Sequence, residues 1–224
     1  MGNKRVLEST GKIIDLDRGE GVESLPAESL QMDKHTYGAS SHTTPFSLIF
    51  NGSFVDVVGG HNQFFETTDG ARRLILELSE MKKFPRVFPV SLHQNYSTGD
   101  VYFIIYVRIN GIEHKLRLTY DYRHPLVKME VVVEYPDLDQ RYMQGHWYGR
   151  NLPCYIHYWT KDWSALKVAV QMCFWLHDYY NDRNGRNPEY YVRKTNDVNI
   201  TTQDVDNLLR QINERIKFGG FQFR

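Results

Sequence analysis

Cysteine is scarce in this chain: two residues among 224, Cys154 and Cys173. Two thiols cannot build the disulfide framework of a small secreted protein, so both are expected to be free, in a reducing cytoplasm. No apolar run approaches the ~20 residues that a membrane-spanning helix needs. An excess of one charge is missing too, because Lys plus Arg number 27 and Asp plus Glu number 27. Without a cationic surplus, neither nucleic acid nor an anionic membrane is an expected partner. Gly2 is present, but Val6 stands where a myristoylation signal needs Ser or Thr, and no apolar signal-peptide core follows. What remains is a composition 41% hydrophobic, 14% aromatic and 24% charged, that of a globular protein long enough to bury a substantial core.

Residues 1 to about 45 are polar and rich in Gly, Ser, Thr and acidic side chains, with no sustained period, which predicts an extended or weakly ordered arm. "FSLIFNGSFVDVVGG" follows, with two short apolar runs around Asn51-Gly52, the dipeptide that favours a tight hairpin. Ala71, Leu74, Ile75, Leu78 and Met81 then recur at helical spacing, with Thr67 or Thr68 to cap and Pro85 to end the run. Asn110-Gly111 joins two strand-like runs, and Leu116, Leu118 and Tyr120 alternate with polar neighbours. A third run, Val127, Met129, Val131 and Val133, comes after a turn at His124-Pro125, and "FPVSLHQN" supplies a candidate fourth strand ahead of them.

After an irregular stretch, Leu166, Val170, Cys173, Phe174 and Leu176 lie on one side of a helix that Asp162 or Ser164 can cap. A last helix is predicted near the C-terminus, with Val205, Leu208, Leu209, Ile212 and Ile216 as its apolar face. The order of helix, antiparallel meander, irregular segment, helix and helix describes an α+β fold. Residues 1–60 read as an N-terminal extension with a hairpin, and 61–224 as the main domain.

"GHWYGRNLPCYIHYWTKDW", Gly145 to Trp163, is the densest stretch, with one of two cysteines, two of nine histidines and three of four tryptophans. Irregular segments held by a rigid scaffold are where reactive groups tend to sit. Cys154 there is open to two chemical readings beside that of a small buried hydrophobe. It can ligate zinc with His157, at C-x2-H spacing, and with His146 or His177, although structural zinc wants four ligands. It can serve as the nucleophile of a cysteine hydrolase. Cys173, in phase with Val170 and Leu166, belongs to the core.

The layout and this segment resemble the ubiquitin-conjugating enzyme family, over about Ala71 to Ile216. "HPLVKMEVVVEYP" is similar to that family's proline-containing turn and fourth strand. "LPC" takes the place of its apolar residues before the cysteine, and "KDWSALKVAVQMCFWL" resembles the tryptophan and helix behind its site, with Trp163 in the tryptophan position. The family's His-Pro-Asn triplet is absent: His146 is followed by Trp147 and Tyr148, and the nearest asparagine is Asn151. That departure resembles divergent prokaryotic relatives, several of them in antiphage conjugation operons.

The resemblance implies a transferase that carries a ubiquitin-like protein as a thioester on Cys154 and passes it to an amine. Asn151, or the backbone near it, would stabilise the oxyanion, and His146 would orient the loop or assist proton transfer. The implied partners are an activating enzyme, a ubiquitin-like modifier and a protein target, with no cofactor. The alternative is a non-catalytic adaptor of the same fold. Gly219-Gly220 near the C-terminus could imitate a modifier's tail, but a flexible pair after a helix explains it more simply.

Overall fold

The computed structural model describes residues 13–18, 46–84 and 89–181, together with Asn207 and Arg210. The C-terminal helix predicted around Val205 to Ile216 lies outside the described residues apart from those two, both helical. Among the residues from Ile13 to Asn181 that are described, the fold is α+β, with two α-helices and an antiparallel four-stranded sheet accompanied by two smaller sheets.

Strands β1 (Ile13–Asp15), β2 (Phe46–Phe50) and β3 (Ser53–Val57) form the first small sheet. Asn51 and Gly52 turn the β2–β3 hairpin at φ 49° and 74°, the left-handed backbone that this dipeptide tolerates. The parallel pairing of β1 with β2 was not legible in the polar arm, since three residues are too few to display a period. Tertiary contacts hold it: Leu16 is buried, and Asp17 accepts the amides of Asn51 and Gly52 at 3.0 and 2.7 Å while pairing with Lys82. The hairpin shares the main core through Leu48, Phe50, Val55 and Val57, with the Phe50 ring 5.9 Å from that of Phe103.

Helix α1 (Thr68–Met81) begins where the sequence predicts, its first turn closed by Thr67 Oγ1 accepting from the Gly70 amide at 3.1 Å. Ala71, Leu74, Ile75, Leu78 and Met81 are all buried. The four strands β4 (Val90–Gln94), β5 (Val101–Ile109), β6 (Ile112–Thr119) and β7 (Glu130–Tyr135) follow in meander order. Leu116 and Leu118 stand opposite Ile105 and Phe103 on one side and Val133 and Val131 on the other, so one inward face is continuous across three strands.

Helix α2 (Ala165–Asn181) differs from the one-sided pattern. Besides the five predicted positions it buries Ala165, Val168, Ala169, Met172, Trp175 and Tyr179. It contacts α1 and β5, while Trp147 packs edge-on against Trp175 at 4.9 Å. Its N-terminus is capped from a distance as well: the Ala165 amide donates to Glu77 Oε2 of α1 at 2.9 Å, whereas the Ser164 hydroxyl is buried with no hydrogen bond.

Glu77 thereby becomes the polar centre of the interior, 1% exposed. Its carboxylate also accepts from Arg73 Nε, from Tyr120 Oη at 3.1 Å, and from His124 Nε2 at 2.7 Å. Arg73 reaches on to the Trp163 carbonyl at 2.7 Å. Helix α1, the end of β6, the His124-Pro125 turn and the start of α2 are thus joined through one side chain.

Candidate active site

The segment between β7 and α2 carries a small hairpin, β8 (Trp147–Gly149) and β9 (Leu152–Pro153). Arg150 and Asn151 turn it, with Asn151 at φ 56°. Asparagine tolerates this region because its short polar side chain bonds locally. Here Asn151 Oδ1 accepts the Leu138 amide at 3.1 Å, and Nδ2 donates to Asp137 Oδ1 at 2.7 Å. Its carbonyl accepts the Val133 amide at 2.9 Å, which fastens the turn to β7. Arg150 pairs with the other oxygen of Asp137, and this hydrogen bond, followed by the one from Asn151, holds the Asp137 carboxyl below its ordinary value. The Asn151 carboxamide is therefore committed to the 137–138 loop.

Cys154 follows β9 directly, and its amide donates to the His146 carbonyl at 2.7 Å, extending the hairpin's pairing to the cysteine. The residues after it are fixed to the interior. Tyr155 Oη donates to the Met129 carbonyl at 2.6 Å, and Gln171 of α2 donates to the Tyr155 carbonyl at 3.2 Å. Trp159 Nε1 donates to the Pro125 carbonyl at 2.7 Å, and its ring stacks on Trp163. Trp159 and Trp163 thus belong to the scaffold that holds the cysteine segment.

Cys154 is 4% exposed, and its thiol faces two polar side chains. It donates to Tyr148 Oη at 3.0 Å, and His157 Nδ1 lies 3.7 Å from Sγ. Tyr148 Oη in turn lies 3.4 Å from the Ile156 carbonyl, to which it donates. His146 contributes its carbonyl rather than its ring: the ring stands 5.8 Å from that of His157, and its Nδ1 is buried with no hydrogen bond. On the other side of Tyr148, the Lys128 ammonium sits 3.6 Å from the ring centroid, a cation–π contact. Burial holds Lys128 below the usual lysine range.

Of the three residues singled out by sequence, the structure thus gathers Cys154 and His146 in the hairpin ladder and sets Asn151 at the turn, bonded elsewhere. Tyr148 and Lys128 were missed. Tyr148 lies within the quoted segment, six positions before the cysteine on a strand too short to show which way it faces. Lys128 precedes β7 and meets the site only through folding.

Cys173 makes the contrast. It is fully enclosed in α2, and burial pushes its thiol up to about 12. For zinc, no group of three or more His, Cys, Asp and Glu side chains among the described residues could hold a metal ion. His177 stands on α2 with its Nδ1 3.2 Å from Asp178 Oδ1. No helix among the described residues is long and apolar enough to cross a membrane. Comparison with family models, curated proteins and solved structures finds no match for the chain.

Proposed function

We propose that the protein is a cysteine acyltransferase of the ubiquitin-conjugating kind, with Cys154 as the carrier of a ubiquitin-like protein's C-terminus. The observation that carries this reading is the placement of Cys154. It directly follows a hairpin pinned to the fourth strand of an antiparallel meander and precedes a buried helix, and its sulfur faces a tyrosine hydroxyl and a histidine nitrogen. The α1–meander–α2 order is the support for the finer fold assignment. The setting we propose is a bacterial conjugation operon of the antiphage type, argued by analogy with divergent relatives.

Thiol chemistry suits both steps. The Cys154 thiolate attacks the activating enzyme's thioester, a new S–C bond forms, and the activating enzyme's thiolate leaves. An acceptor amine then attacks the same carbonyl carbon, and collapse of the tetrahedral intermediate returns the electron pair to Cys154 sulfur. His157 Nδ1 is placed to hold the proton exchanged with that sulfur. Because Asn151 is held at the turn by a 2.7 Å bond, we assign the oxyanion's donor to the Tyr148 hydroxyl, which would turn to it from its longer 3.4 Å bond to the Ile156 carbonyl. His146 acts through its carbonyl, which fixes the cysteine's backbone.

The test is incubation with the cognate activating enzyme, the modifier and ATP, read on a non-reducing gel. A thiol-sensitive adduct should form, disappear in Cys154→Ala and survive in Cys173→Ala. Absence of any adduct with authentic partners sinks the proposal. Tyr148→Phe should keep the adduct yet slow discharge to an amine by roughly tenfold or more. A second reading, a non-catalytic adaptor, draws on the burial of the thiol at 4% exposure. It predicts partner binding that Cys154→Ala leaves intact, with no thioester at any concentration of partners.

A further inference from the structure

Tyr148 is 58% exposed on a three-residue strand, yet its hydroxyl meets the Cys154 sulfur at 3.0 Å. A donor stabilises a developing charge well only if it is already in place, and an exposed ring keeps one rotamer only where other groups hold it. The hydroxyl oxygen is anchored by the sulfur and by the Ile156 carbonyl at 3.4 Å, and acylation of Cys154 removes the S–H that makes the first bond. The ring face has an anchor of its own. The Lys128 ammonium lies 3.6 Å from the ring centroid, well inside the ~6 Å over which a cation is attracted to an aromatic face.

Both ends of this contact are tied to the cysteine segment. Lys128 is part-buried just ahead of β7, and the carbonyl of its neighbour Met129 accepts the Tyr155 hydroxyl at 2.6 Å, which binds that backbone to the residue after Cys154. Tyr148 is placed by the hairpin, whose pairing continues through the Cys154 amide on the His146 carbonyl. Burial disfavours the ammonium, and the aromatic face offsets part of that cost.

We propose that Lys128 is a positioning residue for transfer: its ammonium clamps the Tyr148 ring beside the cysteine and polarises the hydroxyl that donates to the oxyanion. The inference rests on the carrier role of Cys154 and the donor role of Tyr148 proposed above. The ring stays where it is, and only the hydroxyl hydrogen rotates, from the Ile156 carbonyl toward the acyl oxygen. A cation on the ring face draws electron density from the ring and its oxygen, which makes the O–H a stronger donor. The thioester is neutral and the tetrahedral oxygen is negative, so the effect falls on the barrier to discharge rather than on the loaded state. No bond to Lys128 forms or breaks.

The test needs neither the activating enzyme nor the modifier. Cys154 of the full chain is acylated with a small acyl-glycylglycine thioester of an aryl thiol, excess reagent is removed, and discharge to free L-lysine is followed by intact mass. Each variant is timed from its own loaded species, so differences in loading do not enter. Lys128→Met, which keeps the length and loses the charge, should discharge about three- to tenfold more slowly, the range open to a desolvated cation–π contact. Lys128→Arg, still cationic and able to stack on the ring, should restore most of the rate. In a Tyr148→Phe background, Lys128→Met should slow discharge no further, because the hydroxyl it acts through is gone. Slow discharge in Tyr148→Phe beside a wild-type rate in Lys128→Met overturns the inference and leaves the carrier and donor roles standing. So does a Lys128→Arg rate no better than that of Lys128→Met, or a Lys128→Met effect undiminished in Tyr148→Phe. A wild-type rate in Tyr148→Phe removes the donor role and the inference with it. A Cys154 that excess thioester cannot acylate removes the carrier role and the inference together.

Discussion

Replacing Glu77 with alanine removes the shared acceptor of Arg73 Nε, His124 Nε2, Tyr120 Oη and the Ala165 amide in one step. None of the last three has solvent to turn to, because His124, Tyr120 and the start of α2 are buried. Removing one partner of a buried ion pair costs about 3–5 kcal/mol, since the remaining groups are left desolvated and unpaired. Unsatisfied buried donors cost about 1–3 kcal/mol each, but their losses overlap with that figure rather than add to it. The expected destabilisation of Glu77→Ala is therefore about 3–5 kcal/mol, a large share of the ~5–15 kcal/mol that holds a domain folded. For a chain of this length it corresponds to a melting temperature lower by about 6–20 °C.

The effect has a pH signature. Burial by itself raises the Glu77 carboxyl, but the His124 hydrogen bond, the charges of His124 and Arg73 and the Ala165 amide outweigh it, and the carboxyl lies below its ordinary value. A depressed folded pKa means stability that is fully present above the unfolded value, about 4.3 for glutamate, and lost as pH falls through the folded one. Urea melts followed by circular dichroism from pH 7 to pH 3 should show the wild-type advantage over Glu77→Ala narrowing toward the acid end. Glu77→Gln, which keeps the shape and loses the charge, should fall between the two. A loss below about 1 kcal/mol at pH 7, the value of a solvated surface pair, would refute the role given to Glu77.

Two further outcomes follow from the cysteine segment and its surroundings. Iodoacetamide at neutral pH should label Cys154 in preference to Cys173, whose thiol is pushed up to about 12 by burial and has no solvent contact; native-state labelling of Cys173 at a comparable rate would contradict the fold around α2. Asn151→Ala should cost about 1–3 kcal/mol in a chemical melt, because it removes the short polar side chain that eases φ 56° and deletes both bonds to the 137–138 loop; a neutral effect on stability with a large loss of transfer rate would instead return the oxyanion role to Asn151.

The parts of the fold that were legible in the sequence are those whose signals are local. Asn51-Gly52 and Asn110-Gly111 adopt positive φ at both residues, and α1 buries the very stripe its spacing marks. Glu77 was not legible, because on the helix it reads as one more acid in "LELSE"; only the arrival of Tyr120, His124 and Ala165, 43, 47 and 88 positions later, makes it an interior acceptor. The same limit applies at the site. Cys154 stood out by composition, but its chemical surroundings depend on which way a three-residue strand faces and on a lysine that precedes the fourth strand. Tyr148 could have packed inward like Trp147, whose ring lies against Trp175. Strand alternation turns Tyr148 the other way instead, and at that position it touches both the sulfur and the amine. A substitution that shifts the register of β8 and β9 by one residue would exchange the two rings, so the chemistry of the cysteine is set by the hairpin's register as much as by the cysteine itself.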